Sequence, residues 1–293
     1  MKYTYVETNF NASTLRMIDV INGIIGEYMG QGFVLTVRQL YYQLVARDYI
    51  PNTLNDYKRI AVIVNNAKLA GLIDWDALED RTRAFSSQAR WIDGPHILRA
   101  ARDSFHMDMW EEQEYRPFVI VEKEALVGVL ERVCTKYDMP LLAARGYPSG
   151  SVLRAFAVEV LVPALDAGQA VKVFHLGDHD PSGIDMSRDL SDRLTMFCEQ
   201  GLRVSRIALN LDQVLEQNPP ENPAKLTDPR IGDYSSRFGD ASWELDALSP
   251  KYLSELIERN VKPLIDKDLW KEREDLINET KLKIELAADH FDE

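Results

Sequence analysis

"VKVFHLGDHDPSGID", residues 171–185, is the stretch on which the reading of this chain turns. It begins as an apolar strand, ends in Asp178 and Asp180, and turns through Pro181, Ser182 and Gly183 into a helix. Residues i and i+2 of an extended chain face the same side, so the two carboxylates are set beside each other. Like charges at that spacing repel unless a cation lies between them, and a site built of carboxylate oxygens suits Mg²⁺. Ser182 is expected to cap the helix, with Asp185 three residues on in a capping-box position.

Working outward, the same pattern repeats. "PFVIVE" (117–122), "PLLAAR" (140–145), "VKVFHLGD" (171–178) and "RVSRIALNL" (203–211) read as strands. Helical segments at 123–134, 149–168 and 182–200 separate them. This alternation predicts an α/β unit with a parallel sheet and helices on both faces, and ligands beyond the carboxyl ends of the strands. Glu122 ends the first strand as Asp178 ends the third. Adjacent strands would bring Glu122, Asp178 and Asp180 together as a hard-metal site with positions open to phosphates. His175 and His179 flank the acidic end and are not read as ligands.

The first third of the chain is different. Residues 12–29 have a helical apolar period behind Asn11 or Ser13, a second helix over about 37–48 follows Thr36, and a third spans about 55–71. "IDWDALEDRTRAF" (73–85) is expected to form a β-hairpin wing. Three helices and a wing predict a winged helix-turn-helix, giving a first domain at 1–110 and a second at 111–293. Beyond the α/β unit, residues 212–240 are rich in Pro, Asn and Asp and long for a structureless loop. Trp243 and Glu244 are read as opening a strand or helix against the core, and the tail as two or three helices.

Composition bounds the function. The chain is 45% hydrophobic and 28% charged, as expected of a globular protein, and no apolar run reaches the ~20 residues of a membrane span. The start, "MKYTYVETNFNAS", has neither a basic region nor an apolar core, so no signal peptide is expected. Cys134 and Cys198 form no CxxC pair and read as buried, reduced thiols, which places the protein in the cytoplasm. Of the net charge of −13, residues 1–107 carry +1 and the remainder −14. A nucleic-acid partner would therefore have to be held by a local basic face or through a metal.

"VIVEKEA", "ARGYPSG" and "LGDHDPSGID" resemble the three motifs of the Toprim fold in topoisomerase VI A subunits and in the related meiotic double-strand-break transesterases. Ser149 stands where the family often has an acidic residue after the second motif. The resemblance implies that Glu122, Asp178 and Asp180 bind Mg²⁺, with Mn²⁺ as a substitute. A second signature, an Arg followed by two aromatics in a winged-helix domain, is matched by "TVRQLYYQL" (36–44). On a helix, Val37, Leu40, Tyr41, Leu44 and Val45 share the apolar face; Tyr42 points away, with Arg38 one turn before it. Tyr42 is thus expected to be an exposed phenol beside a cation able to hold a phosphate. The resemblance implies the same residue as nucleophile.

Further implications follow from the resemblance. Double-stranded DNA is the substrate, Tyr42 forms a 5′-phosphotyrosyl link, and a homodimer joins the tyrosine of one subunit to the metal site of the other. Lys58, Arg59, Lys68, Arg81, Arg83 and Arg90 are candidates to follow the DNA backbone, with Lys225 and Arg230 as further candidates. No G-x-x-x-x-G-K-[ST] is present, so no nucleotide cofactor is expected and an ATPase partner would be a separate chain. A nucleoid-associated cytoplasmic enzyme is the expectation. Two rival readings stay open: a metallonuclease that uses water, and a DNA-binding protein without catalysis.

Overall fold

The structure, a computed structural model, describes residues 2–79 and 88–291. Asn11 accepts a hydrogen bond from the Thr14 amide and so starts α1 (Ala12–Gly30). The short strand β1 (Leu35–Thr36) leads into α2 (Val37–Ala46), where Thr36 and Gln39 cap each other's backbone amides. Thr53 caps α3 (Leu54–Leu69) by accepting from the Asp56 amide, and its hydroxyl donates to Asp56 Oδ2. Each cap satisfies an orphan donor and is worth about 1 kcal/mol. The three helices stand where the periodicity predicts them, because Ile18, Ile21, Leu40, Leu44, Ile60 and Val64 close on one core.

A second short strand, β2 (Leu78–Glu79), pairs in parallel with β1, Leu35 opposite Leu78. Of the β-hairpin wing expected over 73–85, the described part is a 3-10 turn, Trp75–Ala77, and β2, which runs parallel to β1; residues 80–85, with Arg81 and Arg83, lie outside the described residues. The next helix, α4 (Gly94–Ser104), ion-pairs through Arg99 and Arg102 with Glu285 and Asp289, near the end of the chain.

Next come β3 (Tyr115–Val121), α5 (Val127–Lys136), β4 (Leu141–Ala143), α6 (Gly150–Phe156), α7 (Val162–Asp166), β5 (Ala170–Leu176), α8 (Pro181–Cys198) and β6 (Val204–Ala208). The four strands form one parallel sheet in the order β4-β3-β5-β6. Alternation divides its side chains between two faces. Val119, Val121 and Leu176 pack with Leu130, Val133 and Ile257 on one face; Phe118, Ile120 and Val173 pack with Leu153, Leu161 and Leu190 on the other. The helix expected over 149–168 contains a π turn, Ala157–Leu161, just before Pro163, whose missing N–H breaks the regular ladder. Cys134 and Cys198 are buried and unpaired, one on each face.

The Pro-rich segment is ordered. It holds α9 (Leu211–Gln217), β7 (Glu221–Pro223), α10 (Ile231–Phe238) and β8 (Ala241–Trp243), with β7 and β8 antiparallel. A 3-10 turn, Leu245–Ala247, then leads to α11 (Pro250–Val261) and α12 (Lys267–Asp289). Among the described residues no helix is long and apolar enough to cross a membrane.

Candidate active site

The sheet brings the two acidic strand ends together. β3 and β5 are neighbours in register, Val121 opposite Leu176, so Glu122 stands beside Gly177 and Asp178. The Glu122 Oε2 atom accepts from the Asp178 amide at 2.9 Å. Gly177 makes room for this: a Cβ there would lie 2.9 Å from Glu122 Oε2. Gly183 has a similar duty, since its Cβ would stand 2.2 Å from the Asp178 carbonyl oxygen. The two glycines explain why a strand end rich in charge turns so tightly.

Asp180, not Ser182, caps α8. Its Oδ1 atom accepts from the Gly183 amide at 2.6 Å and from the Ser182 hydroxyl at 2.9 Å. Helix α8 begins one residue earlier than expected because Pro181 is suited to its first position. Asp185 instead accepts from Tyr147 and pairs with Arg188 and Arg230. Asp178 and His179 point in opposite senses. His179 sits among Tyr234, Phe238 and Trp243, its Nδ1 within 2.9 Å of the Tyr234 hydroxyl, and burial pushes its pKa down to about 4. His175 is also buried and held neutral, its Nδ1 2.8 Å from Ser187 Oγ. His179 is thus turned to the aromatic cluster, while His175 lies close to Gly177 with its buried Nε2 unpartnered among the described residues.

Burial, followed by the neighbouring charge of Asp180, raises the Glu122 pKa. Burial also raises that of Asp178; Lys123 opposes the rise, and Glu122, Glu244 and Asp246 add to it. Three cations answer the acids. Lys123 Nζ lies 2.9 Å from both Asp178 Oδ1 and Asp246 Oδ1 and also contacts Glu244. Buried Arg206 donates to the carbonyls of Gly177, Asp178, Gly183 and Leu209, tying the strand-end loops together. Arg38 is the third.

Arg38 joins the tyrosine helix to this network. Its Nε donates to Asp246 Oδ2 at 2.6 Å and its Nη2 to Glu244 Oε2 at 3.0 Å. The same Nη2 donates to the Tyr42 hydroxyl at 3.3 Å, with the guanidinium 5.5 Å from the ring centre. The expected pairing of Arg38 with Tyr42 is therefore present. The expected exposure of Tyr42 is not: it is 5% exposed, against 4% for Tyr41. Burial raises the Tyr42 pKa, Asp246 and Glu244 add to the rise, and Arg38 and Lys123 oppose it. Both tyrosines line an opening of about 210 Å³ with Arg38, Asn52, Tyr57 and Glu244.

Of the candidate DNA-binding residues, Lys58 and Arg59 are exposed on α3, Arg59 pairing with Asp56. Lys68 is committed elsewhere, donating to the carbonyls of Trp75 and Leu78. Arg90 and Lys225 are exposed, and Arg230 is held by Asp185 and Asp228. Sequence reading missed Lys123, Arg206 and Asp246 as parts of the site and took Glu244 for a packing residue. Lys123 carried one visible signal, its place next to Glu122.

Oxygen donors and two carboxylates with raised pKa values are chemistry suited to a hard divalent cation. Among the described residues, Glu122, Asp178, Asp180, Glu244 and Asp246 meet Arg38, Lys123 and Arg206, so acids outnumber cations. Yet among the described residues no three His, Cys, Asp or Glu side chains already converge on one point. Asp178 Oδ1 is engaged by Lys123 and the Leu245 amide, and Asp180 Oδ1 by the helix cap. Comparison of the chain with protein-family models, curated proteins and solved structures yields no match.

Proposed function

We propose that this chain is a DNA-cleaving tyrosine transesterase of the topoisomerase VI A type, with a winged-helix unit carrying Tyr42 and a Toprim unit carrying the acids. The observation behind this reading is the continuous polar path from the Tyr42 hydroxyl through Arg38, Glu244 and Asp246 to Lys123 and Asp178. Such a path links a tyrosine hydroxyl, two cations and a carboxylate cluster, the groups that this reading requires in one site. The Tyr42 oxygen would attack the phosphorus of a phosphodiester. The bond from phosphorus to the 3′ oxygen would break as the 5′-phosphotyrosyl bond forms, and the phenol proton would end on the departing 3′ oxygen. The number of phosphoester bonds is unchanged, so the step is reversible.

Glu122, Asp178 and Asp180 would hold Mg²⁺ or Mn²⁺, which supplies charge neutralisation at the phosphate. Arg38 positions the phosphate at Tyr42, while Lys58 and Arg59 offer contacts to the backbone. The clasp of Arg38 on Glu244 and Asp246 links the tyrosine helix to the acids within one chain, which supports a site built in cis instead of the exchange between subunits that the resemblance implies; a homodimer would then supply one such site to each strand of a duplex. A second reading, hydrolysis by water with the same acids, gains support from the burial of Tyr42 and its raised pKa, which make the phenolate harder to form. Denaturing gels of end-labelled duplex separate the two. Protein covalently attached to 5′ ends supports the tyrosine mechanism; free 5′ phosphates without adduct refute it.

A further inference from the structure

Glu244 is placed unlike the other acids. It touches both Arg38 and Lys123, one from the tyrosine helix and one from the strand end that carries Glu122. Asp246 shares those cations but is fully buried, whereas the Glu244 side chain is 29% exposed and Arg38 40% exposed. Glu244 also lines the opening over Tyr42. It has no cap hydrogen bond to its own turn, so its carboxylate is not needed to start Leu245–Ala247. A carboxylate clasped by two cations beside a hydroxyl is an electrostatic analogue of a bound phosphate.

We propose that Arg38 and Lys123 of one chain form the seat of a phosphodiester phosphate, and that Glu244 occupies this seat until the phosphate displaces it. The inference rests on the DNA reading and adds Lys123 as a substrate-binding residue and Glu244 as an autoinhibitory contact. It also completes the phosphate seat within a single chain. Asp246, fully buried, stays in place and keeps both cations paired at the seat.

The test is binding of a fluorescein-labelled DNA duplex, and separately of inorganic phosphate, to the full chain in EDTA. Releasing a partly exposed pair costs up to ~1 kcal/mol, so Glu244→Gln should tighten duplex binding about fivefold at low salt. Glu244→Ala should do likewise, and phosphate binding should tighten in the same sense. Glu279→Gln removes the same charge from exposed α12, where Glu279 pairs with Lys283, and should change binding much less. Unchanged or weaker binding in both Glu244 variants overturns the seat, as does an equal gain in Glu279→Gln. The covalent adduct is scored in parallel with Mg²⁺. Tighter binding without adduct in the wild type keeps the seat and removes the transesterase; adduct with unmoved binding does the reverse.

Discussion

Replacing Asp246 by Ala should be among the most damaging single changes at this site. Its side chain is 0% exposed and accepts from Arg38 at 2.6 Å and from Lys123 at 2.9 Å. Burial alone would raise its pKa, but Lys123 and Arg38 outweigh burial and hold it below the ordinary carboxylate range. Removing it leaves Lys123 with Asp178 and Glu244 and strips one buried partner from Arg38. Breaking a buried ion pair from one side costs about 3–5 kcal/mol. At ~2.1 cal/mol/K of unfolding entropy per residue, ~4 kcal/mol lowers the Tm of a 293-residue chain by ~6 °C. Thermal or urea unfolding followed by circular dichroism measures it. Lys123→Met together with Asp246→Ala removes both charges and should cost at least ~1 kcal/mol less than the two single losses added. The sign with pH follows from the lowered pKa: the stabilisation is present above the unfolded value near ~4 and is lost as pH falls through the folded one. The wild type and Asp246→Ala should therefore converge in acid. A loss below ~1 kcal/mol near neutrality, or strict additivity with Lys123→Met, would refute the reasoning.

Tyr42→Phe should abolish the covalent adduct, while Tyr41→Phe should keep it and lose ~1–2 kcal/mol of stability with its hydrogen bonds to Asn52 and the Thr53 carbonyl; an adduct in Tyr42→Phe returns the case to the water-using nuclease. Gly183→Ala places a Cβ 2.2 Å from the Asp178 carbonyl, so it should cost ~3 kcal/mol, at the upper end for overpacking, and a change under ~1 kcal/mol in urea unfolding contradicts this contact. Asp178→Asn should stabilise the metal-free protein above neutrality and abolish cleavage. The raised folded pKa means that the ionised form costs stability, absent below the unfolded value and growing as pH rises through the folded one. Mg²⁺ should then raise the Tm of the wild type and not of this variant; an equal rise in both removes Asp178 from the metal site. Mixing Tyr42→Phe with Asp178→Ala should restore no adduct, because one chain holds both parts; recovered adduct would mean that subunits exchange them.

What the sequence disclosed follows from the range of each physical signal. Strand alternation, caps and the glycine-bounded turn are local, so the parallel sheet and the meeting of Glu122 with Asp178 are legible in the sequence. Register did the rest, because a parallel neighbour of β3 had to bring residue 177 beside residue 122. The ordering of 212–240 was less legible: α10 is anchored by Tyr234 donating to the His179 carbonyl, a partner 55 residues away.

Tyr42 shows where local reasoning stops. A helical wheel ranks faces by the residues of one helix, and on that criterion Tyr42 does face away from Leu40 and Leu44. Its cover comes instead from the 3-10 turn over two hundred residues later, through the clasp of Arg38 on Glu244 and Asp246. The same clasp answers the charge problem posed by the acidic strand end. Carboxylates gathered there need cations; Lys123, beside Glu122 in sequence, supplies one, but Glu244 and Asp246, which hold Lys123, come from the same distant turn. A net charge of −13 shows only that acids are in excess. Where that excess is concentrated depends on which distant turn closes over the sheet, and here the closing turn also reaches the tyrosine.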